Sequence, residues 1–128
     1  MTFIQQHRSR NGETMSAFAL AHLKNPNSHP DVLEYMERVD ETLVPFGGWF
    51  VVHGAEPDVR EGQWPGTIVI IGFPSLQAAR DWYDSPAYQA ILPLRTGHID
   101  STAILVDGVA PTHQAADMAA IMRAAAQA

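Results

Sequence analysis

At 128 residues, 46% of them hydrophobic and 17% charged, the chain has room for one compact domain with a modest core. Eight basic residues against fourteen acidic give a net charge of −6, and no lysine or arginine stands beside another. That excludes the clustered basic footprint that nucleic acid requires. The absence of cysteine excludes disulfides, thiolate metal sites and cysteine nucleophiles. No apolar run approaches the roughly 20 residues of a bilayer span, and no signal-like segment is evident, so the expectation is a soluble cytoplasmic protein that contacts neither membrane nor nucleic acid.

Residues 1–14 mix Arg8, Arg10, Asn11 and Gly12 without period and read as a flexible extension. Met15, just ahead of the first strand pattern, is the expected natural start. Residues 15–110 then read as one domain. Ser16 to Leu23 is a strand, and Asn25-Pro26-Asn27-Ser28-His29-Pro30 turns into a helix with proline in its first turn. Val32, Met36, Val39 and Leu43 form that helix's apolar stripe. Pro45 and Gly47-Gly48 stop it and release a strand from Trp49 to Ala55. A polar loop, Glu56 to Gly66, leads to the nearly unbroken apolar strand Thr67 to Phe73, whose pattern predicts cover on both faces. Ser75 caps the next helix, a short helical turn follows around Pro86 to Leu92, and the last strand spans Ile99 to Val106 before Asp107-Gly108. The alanine-rich segment 111–128 predicts a C-terminal helix, with Ala115, Met118, Met122 and Ala125 on one stripe packed against the barrel or a partner.

The order β-α-β-β-α-β is that of an α+β, ferredoxin-like fold, with both helices on one face of a four-stranded antiparallel sheet. The other face is left bare, with alternating sets such as Phe18/Leu20, Phe50/Val52, Val69/Ile71 and Ile104/Val106 or their opposites pointing from it. Burying each large apolar side chain is worth about 1.5–3 kcal/mol, so a two-fold homodimer that closes these faces into an α/β barrel is the economical arrangement.

His53 is the first candidate for chemistry, since an imidazole in an otherwise apolar strand (Trp49 to Val52) is open to a burial-driven pKa change. Arg95, in a segment of proline and aliphatics, needs an anion: Glu61, Asp84, backbone carbonyls or a substrate carboxylate or enolate. Glu61, beside Gly62 and Trp64 in the hairpin loop, is placed to fold over a pocket edge, with Trp64 a candidate substrate-binding residue there. His22, near the end of the first strand, is a candidate to share a pocket mouth with His53. Trp82, Tyr83 and Tyr88 concentrate aromatic surface whose hydroxyls and indole N–H need partners, as in a pocket for a small aromatic ligand, although the same spacing serves core packing. His98 reads as a loop residue. The histidines at 7, 22, 29, 53, 98 and 113 include no i,i+4 pair on a helix, and no phosphate-cradling glycine loop occurs, so neither metal nor cofactor is expected.

The run Gly47-Gly48, Glu61-Gly62-Gln63-Trp64, Phe73-Pro74-Ser75 through Trp82-Tyr83-Asp84-Ser85-Pro86-Ala87-Tyr88, and Pro93-Leu94-Arg95 resembles the domain-of-unknown-function 1330 family. The resemblance covers about Ser16 to Val109 and implies membership of the dimeric α/β-barrel superfamily. Relatives there include cofactor-free monooxygenases, lactone isomerases, polyketide cyclases and haem enzymes, among which fold alone does not choose. Similar chains commonly carry an acid at the position of Gly72 and an arginine at that of His53; if the two positions face one another across neighbouring strands, the resemblance implies an ion pair replaced by an imidazole beside a gap. Three readings follow. One is a cofactor-independent acid–base enzyme acting on a small aromatic or polyketide-like molecule, with His53 as base, Arg95 stabilising an anion and Glu61 or Tyr88 assisting. The others are a non-catalytic small-ligand-binding dimer and a structural protein without a pocket. The first two require a pocket between sheet and helices.

Overall fold

The computed structural model describes residues 16–127, so the expected N-terminal extension and the Met15 start lie outside the described residues. Four strands, β1 (Ala17–Leu23), β2 (Trp49–His53), β3 (Thr67–Phe73) and β4 (Ser101–Asp107), form one antiparallel sheet in the order β2-β3-β1-β4. Helices α1 (Pro30–Leu43), α2 (Leu76–Asp84) and α3 (Pro86–Thr96) pack on one side, and α4 (Ala115–Ala126) ends the chain. The fold is α+β and ferredoxin-like in its element order, as expected. No helix among the described residues is long and apolar enough to cross a membrane.

Local chemistry explains the boundaries. Pro30 opens α1 without wasting an N–H, and His29 caps it by accepting from the Asp31 amide through Nδ1. The helix stops through a turn, Val44–Phe46, that closes on Gly47 at φ 71°. Ser75 and Ser85 cap α2 and α3 with their hydroxyls, on the amides of Ala78 and Tyr88. Helix α3 runs a full turn beyond the expected stop near Leu92, because it carries Pro93 within it and ends only at Gly97. The amides of His98 and Ile99 both bond to the Arg95 carbonyl. Residues expected to open the last strand instead close this helix, and β4 starts at Ser101. At the end of β2, Gly54 adopts φ 94° and turns the chain away two residues before the expected end at Ala55.

The register divides the sheet into two faces. Ala17, Ala19 and Ala21 align with Phe73, Ile71 and Val69 and, across β1, with Asp107, Leu105 and Ala103. This face meets the helices, and the core forms where Ile71 and Phe73 pack against Val39 and Leu43 of α1, Ala79 and Trp82 of α2 and Tyr88 and Ile91 of α3. The opposite face carries Phe18, Leu20, Ile68, Ile70, Ile104 and Val106. Ile104 and Val106 are 49% and 44% exposed.

A β-bulge between Phe50 and Val52 changes the parity of β2. Phe50 pairs with Ile71 and His53 with Val69, so both lie on the helix side, where their rings stack at 4.5 Å. Of the alternating sets expected on the bare face, Phe18/Leu20 and Ile104/Val106 are there, whereas Val69/Ile71 and Phe50 face the helices. Gly72 pairs with Trp49 rather than facing His53, and a methyl group at Gly72 would overlap the indole. The gap expected beside His53 is therefore filled space on the other face of the sheet.

Candidate functional site

Between the sheet and the helices lies a cavity of about 490 Å³, within the size range of small-molecule sites. Small side chains on β1 and the neighbouring edge strand β4, Ala19, Ala21 and Ala103, leave the room; Val69, Phe50 and Leu105 supply apolar wall. Helix α1 contributes Tyr35 and Met36, and α2 and α3 contribute Trp82, Tyr83, Tyr88 and Arg95. Met36, expected within the buried stripe, is 46% exposed, because the cavity occupies the space it would otherwise pack into.

The polar groups converge on Arg95, which is only 6% exposed. One guanidinium nitrogen donates to the Ser101 hydroxyl at 2.7 Å and the other to the Tyr88 hydroxyl at 3.4 Å. Tyr88 shares a 2.7 Å hydrogen bond with the Tyr35 hydroxyl, and the guanidinium carbon lies 5.4 Å from the centre of the Tyr35 ring. Among the described residues no carboxylate pairs with this buried cation; Glu61 and Asp84, two of the expected partners, are both exposed. Burial works against the Arg95 charge, but electrostatic attraction to Tyr35 and Tyr88 outweighs it and the pKa moves up. Burial also pushes the Tyr88 phenol well above its ordinary value, and Tyr35 reinforces the rise against the opposing pull of Arg95. The site thus holds one fixed positive charge beside a Tyr88 phenol that keeps its proton.

Of the residues singled out from sequence, His53, Arg95, Trp82, Tyr83 and Tyr88 line this cavity. His53 stands at its exposed rim on the last residue of β2. Trp82 is buried, packs 4.0 Å from the Tyr88 ring, and donates its indole N–H to Thr42 Oγ1 at 2.9 Å, so that donor is turned away from a ligand. His22 and Trp64 lie elsewhere. His22 aligns with Ile68 and Thr102 on the far face of the sheet, stacks on Trp64 at 4.0 Å and hydrogen-bonds the Pro65 carbonyl. Strand parity therefore separates His22 from the mouth that it was expected to share with His53. Glu61 is exposed in the hairpin loop and does not reach the cavity.

Tyr35 and Ser101 were not picked out from sequence. For Tyr35 a signal existed, since it stands three residues after Val32 and four before Val39, on the apolar stripe of α1. Ser101 gave none; only tertiary structure brings it beneath Arg95.

A second group of titratable side chains, His29, Asp31 and His98, offers ligand atoms within 4.8 Å of one another. No helical spacing announced it, because His98 comes from the loop after α3. Its bonds are structural: His29 Nδ1 caps α1, His98 Nε2 pairs with Asp31 at 3.0 Å, and Asn27 donates to the His98 carbonyl. The two imidazoles stack with centres 3.5 Å apart. Their in-plane lone pairs therefore lie in separate, nearly parallel planes, and one ion cannot lie in both. The group acts as a clasp between the start of α1 and the entrance to β4.

Comparison with known proteins agrees with the architecture. A protein of unknown function from Rhodopseudomonas palustris has a similar crystal structure, at 19% identity over 83% of this chain and 91% of that one, with a TM-score of 0.58. The methylated form of that protein gives 0.56 at 19% identity, over 84% and 90% of the two chains. A dimeric ferredoxin-like protein of unknown function from Thermobifida fusca is similar at 16% identity, over 71% and 89%, with a TM-score of 0.49. No curated protein matches the chain. Residues 16–109 match the family described as domain of unknown function (DUF1330), which spans the sheet, the three packed helices and every residue of the cavity, and the chain belongs to that family.

Proposed function

We propose that this protein binds a small, largely apolar molecule in the cavity between sheet and helices. The observation that carries this reading is an apolar chamber ending at a buried guanidinium that has no counter-ion among the described residues. A protein built only for packing has no use for such a group, since burying a charge without an anionic partner is costly. A thermal-shift panel of hydroxylated aromatics, lactones and related acids tests it. A ligand at 100 times its dissociation constant stabilises by about 2.7 kcal/mol, and a flat response across the panel returns the protein to a structural role.

Catalysis is the second reading, favoured by the bulge that turns His53 onto the cavity side of β2. An imidazole at the mouth and a cation at the base suit cofactor-independent acid–base chemistry, with His53 taking a proton and Arg95 stabilising the anion formed. Turnover that is lost in both His53→Ala and His53→Gln, while ligand affinity is kept, supports an enzyme. Unchanged turnover in both variants removes His53 from the reaction, and ligand affinity with no turnover in the wild type leaves a binding protein. We further assign the exposed apolar face of the sheet to self-association as a homodimer, since Ile104 and Val106 there have no cover among the described residues.

A further inference from the structure

We propose that the cavity's ligand is an apolar monocarboxylate, its carboxylate seated between the Arg95 guanidinium and the hydroxyls of Tyr35 and Tyr88. This rests on reading the cavity as a small-molecule site, and it names the class of molecule that site takes.

Counting donors and acceptors leads to the carboxylate. A guanidinium has five N–H donors and no acceptor, and its described side-chain bonds, to Ser101 and Tyr88, use two of them. The Tyr35–Tyr88 bond consumes one phenolic proton. Whichever phenol donates in it, the other proton is left over. The cluster therefore presents surplus donors and a positive charge to a chamber whose lining includes no aspartate or glutamate. A group rich in acceptors and carrying one negative charge completes it.

Shape and charge narrow the choice. The planar guanidinium fork matches the two oxygens of a carboxylate, which a single-oxygen phenolate or enolate does not use fully. A phosphate dianion would need a second cation, and Arg95 is the only lysine or arginine among the described lining residues. Away from Arg95 the wall is made by Ala19, Ala21, Phe50, Val69 and Leu105, which rewards an aryl or short alkyl body and penalises further polar groups. Tyr35 acts here as a specificity residue, since it both shares the phenolic bond and lies against the guanidinium.

The test uses the full chain and calorimetric titration with two matched pairs, 3-phenylpropanoate and octanoate, each against its primary amide. The amide keeps size and polarity and removes the charge. The wild-type protein is expected to bind each acid about 10- to 100-fold more tightly than its amide, the range for hydrogen bonds to a charged group. Arg95→Gln should bring each ratio to within about threefold by weakening the acid, not the amide, and Tyr35→Phe should lower it by about three- to tenfold. Equal affinity for acid and amide in the wild type overturns the carboxylate assignment and leaves the cavity reading standing. So does binding of neutral phenols or lactones when both acids fail. Failure of acids, amides, phenols and lactones together overturns both. Should Arg95→Gln not fold, the wild-type pairs and Tyr35→Phe decide the matter without it.

Discussion

The two faces of the sheet are built from the same four strands and nearly the same residue types, yet they have opposite fates. On the helix side, Phe73 and Ala17 are wholly buried and Ile71 is 6% exposed. On the other side Ile104 and Val106 remain about half exposed. The helix side nevertheless contains the unfilled space, since β1 presents alanine there and phenylalanine and leucine on the far face. Covering a face and filling it are separate matters: the covered face has room for a ligand, and the filled face has room for a partner.

The sharpest way to break the comparison is to empty the covered face further. Phe73→Ala removes a fully buried ring between sheet and helices and is expected to cost about 3–5 kcal/mol in chemical denaturation. On the far face the opposite change applies. Gly72→Ala places a methyl group against the Trp49 indole and is expected to cost about 1–3 kcal/mol, with a shift in tryptophan emission that reports displacement of the ring. Ile104→Glu asks what covers that face: sedimentation equilibrium should show the proposed homodimer weakened by at least tenfold, about 1.4 kcal/mol. A wild-type protein monomeric at micromolar concentration refutes the cover altogether.

The phenols give a pH test confined to the covered face. Because burial raises the Tyr88 pKa above its ordinary 10.0, stability is full below that value. It falls as pH rises through 10.0 toward the folded-state pKa, since the unfolded chain releases the proton first. The slope from this one group is at most about 1.4 kcal/mol per pH unit, and Tyr88→Phe should flatten it in melts collected across alkaline pH. The smallest effect is expected for Glu61→Gln, which lies outside the cavity: within about 0.5 kcal/mol in stability and none on ligand affinity.

Much of the fold was legible in the chain. Proline at the start of α1, serine at the starts of α2 and α3 and glycine after the turn at Val44–Phe46 act within a few residues of themselves, so their meaning survives without tertiary context. The continuation of α3 past Pro93 was not legible, since a proline within a helix ordinarily signals its end. Among candidate site residues, Arg95 and the aromatic cluster announced themselves by composition. His22 lies away from the cavity because of the strand register, and Glu61 and Trp64 do so because a loop's path is not encoded in its residue types.

By itself the sequence determined the α+β order, the amphipathic helix stripe and the family, because capping and periodicity are local properties. Only the tertiary structure decided which strand face meets the helices, that a bulge at Val51 brings His53 to the cavity rim, and that Tyr35 and Ser101 meet Arg95. Those outcomes depend on register and on contacts between residues far apart in the chain, and a one-residue slip in a strand exchanges its two faces.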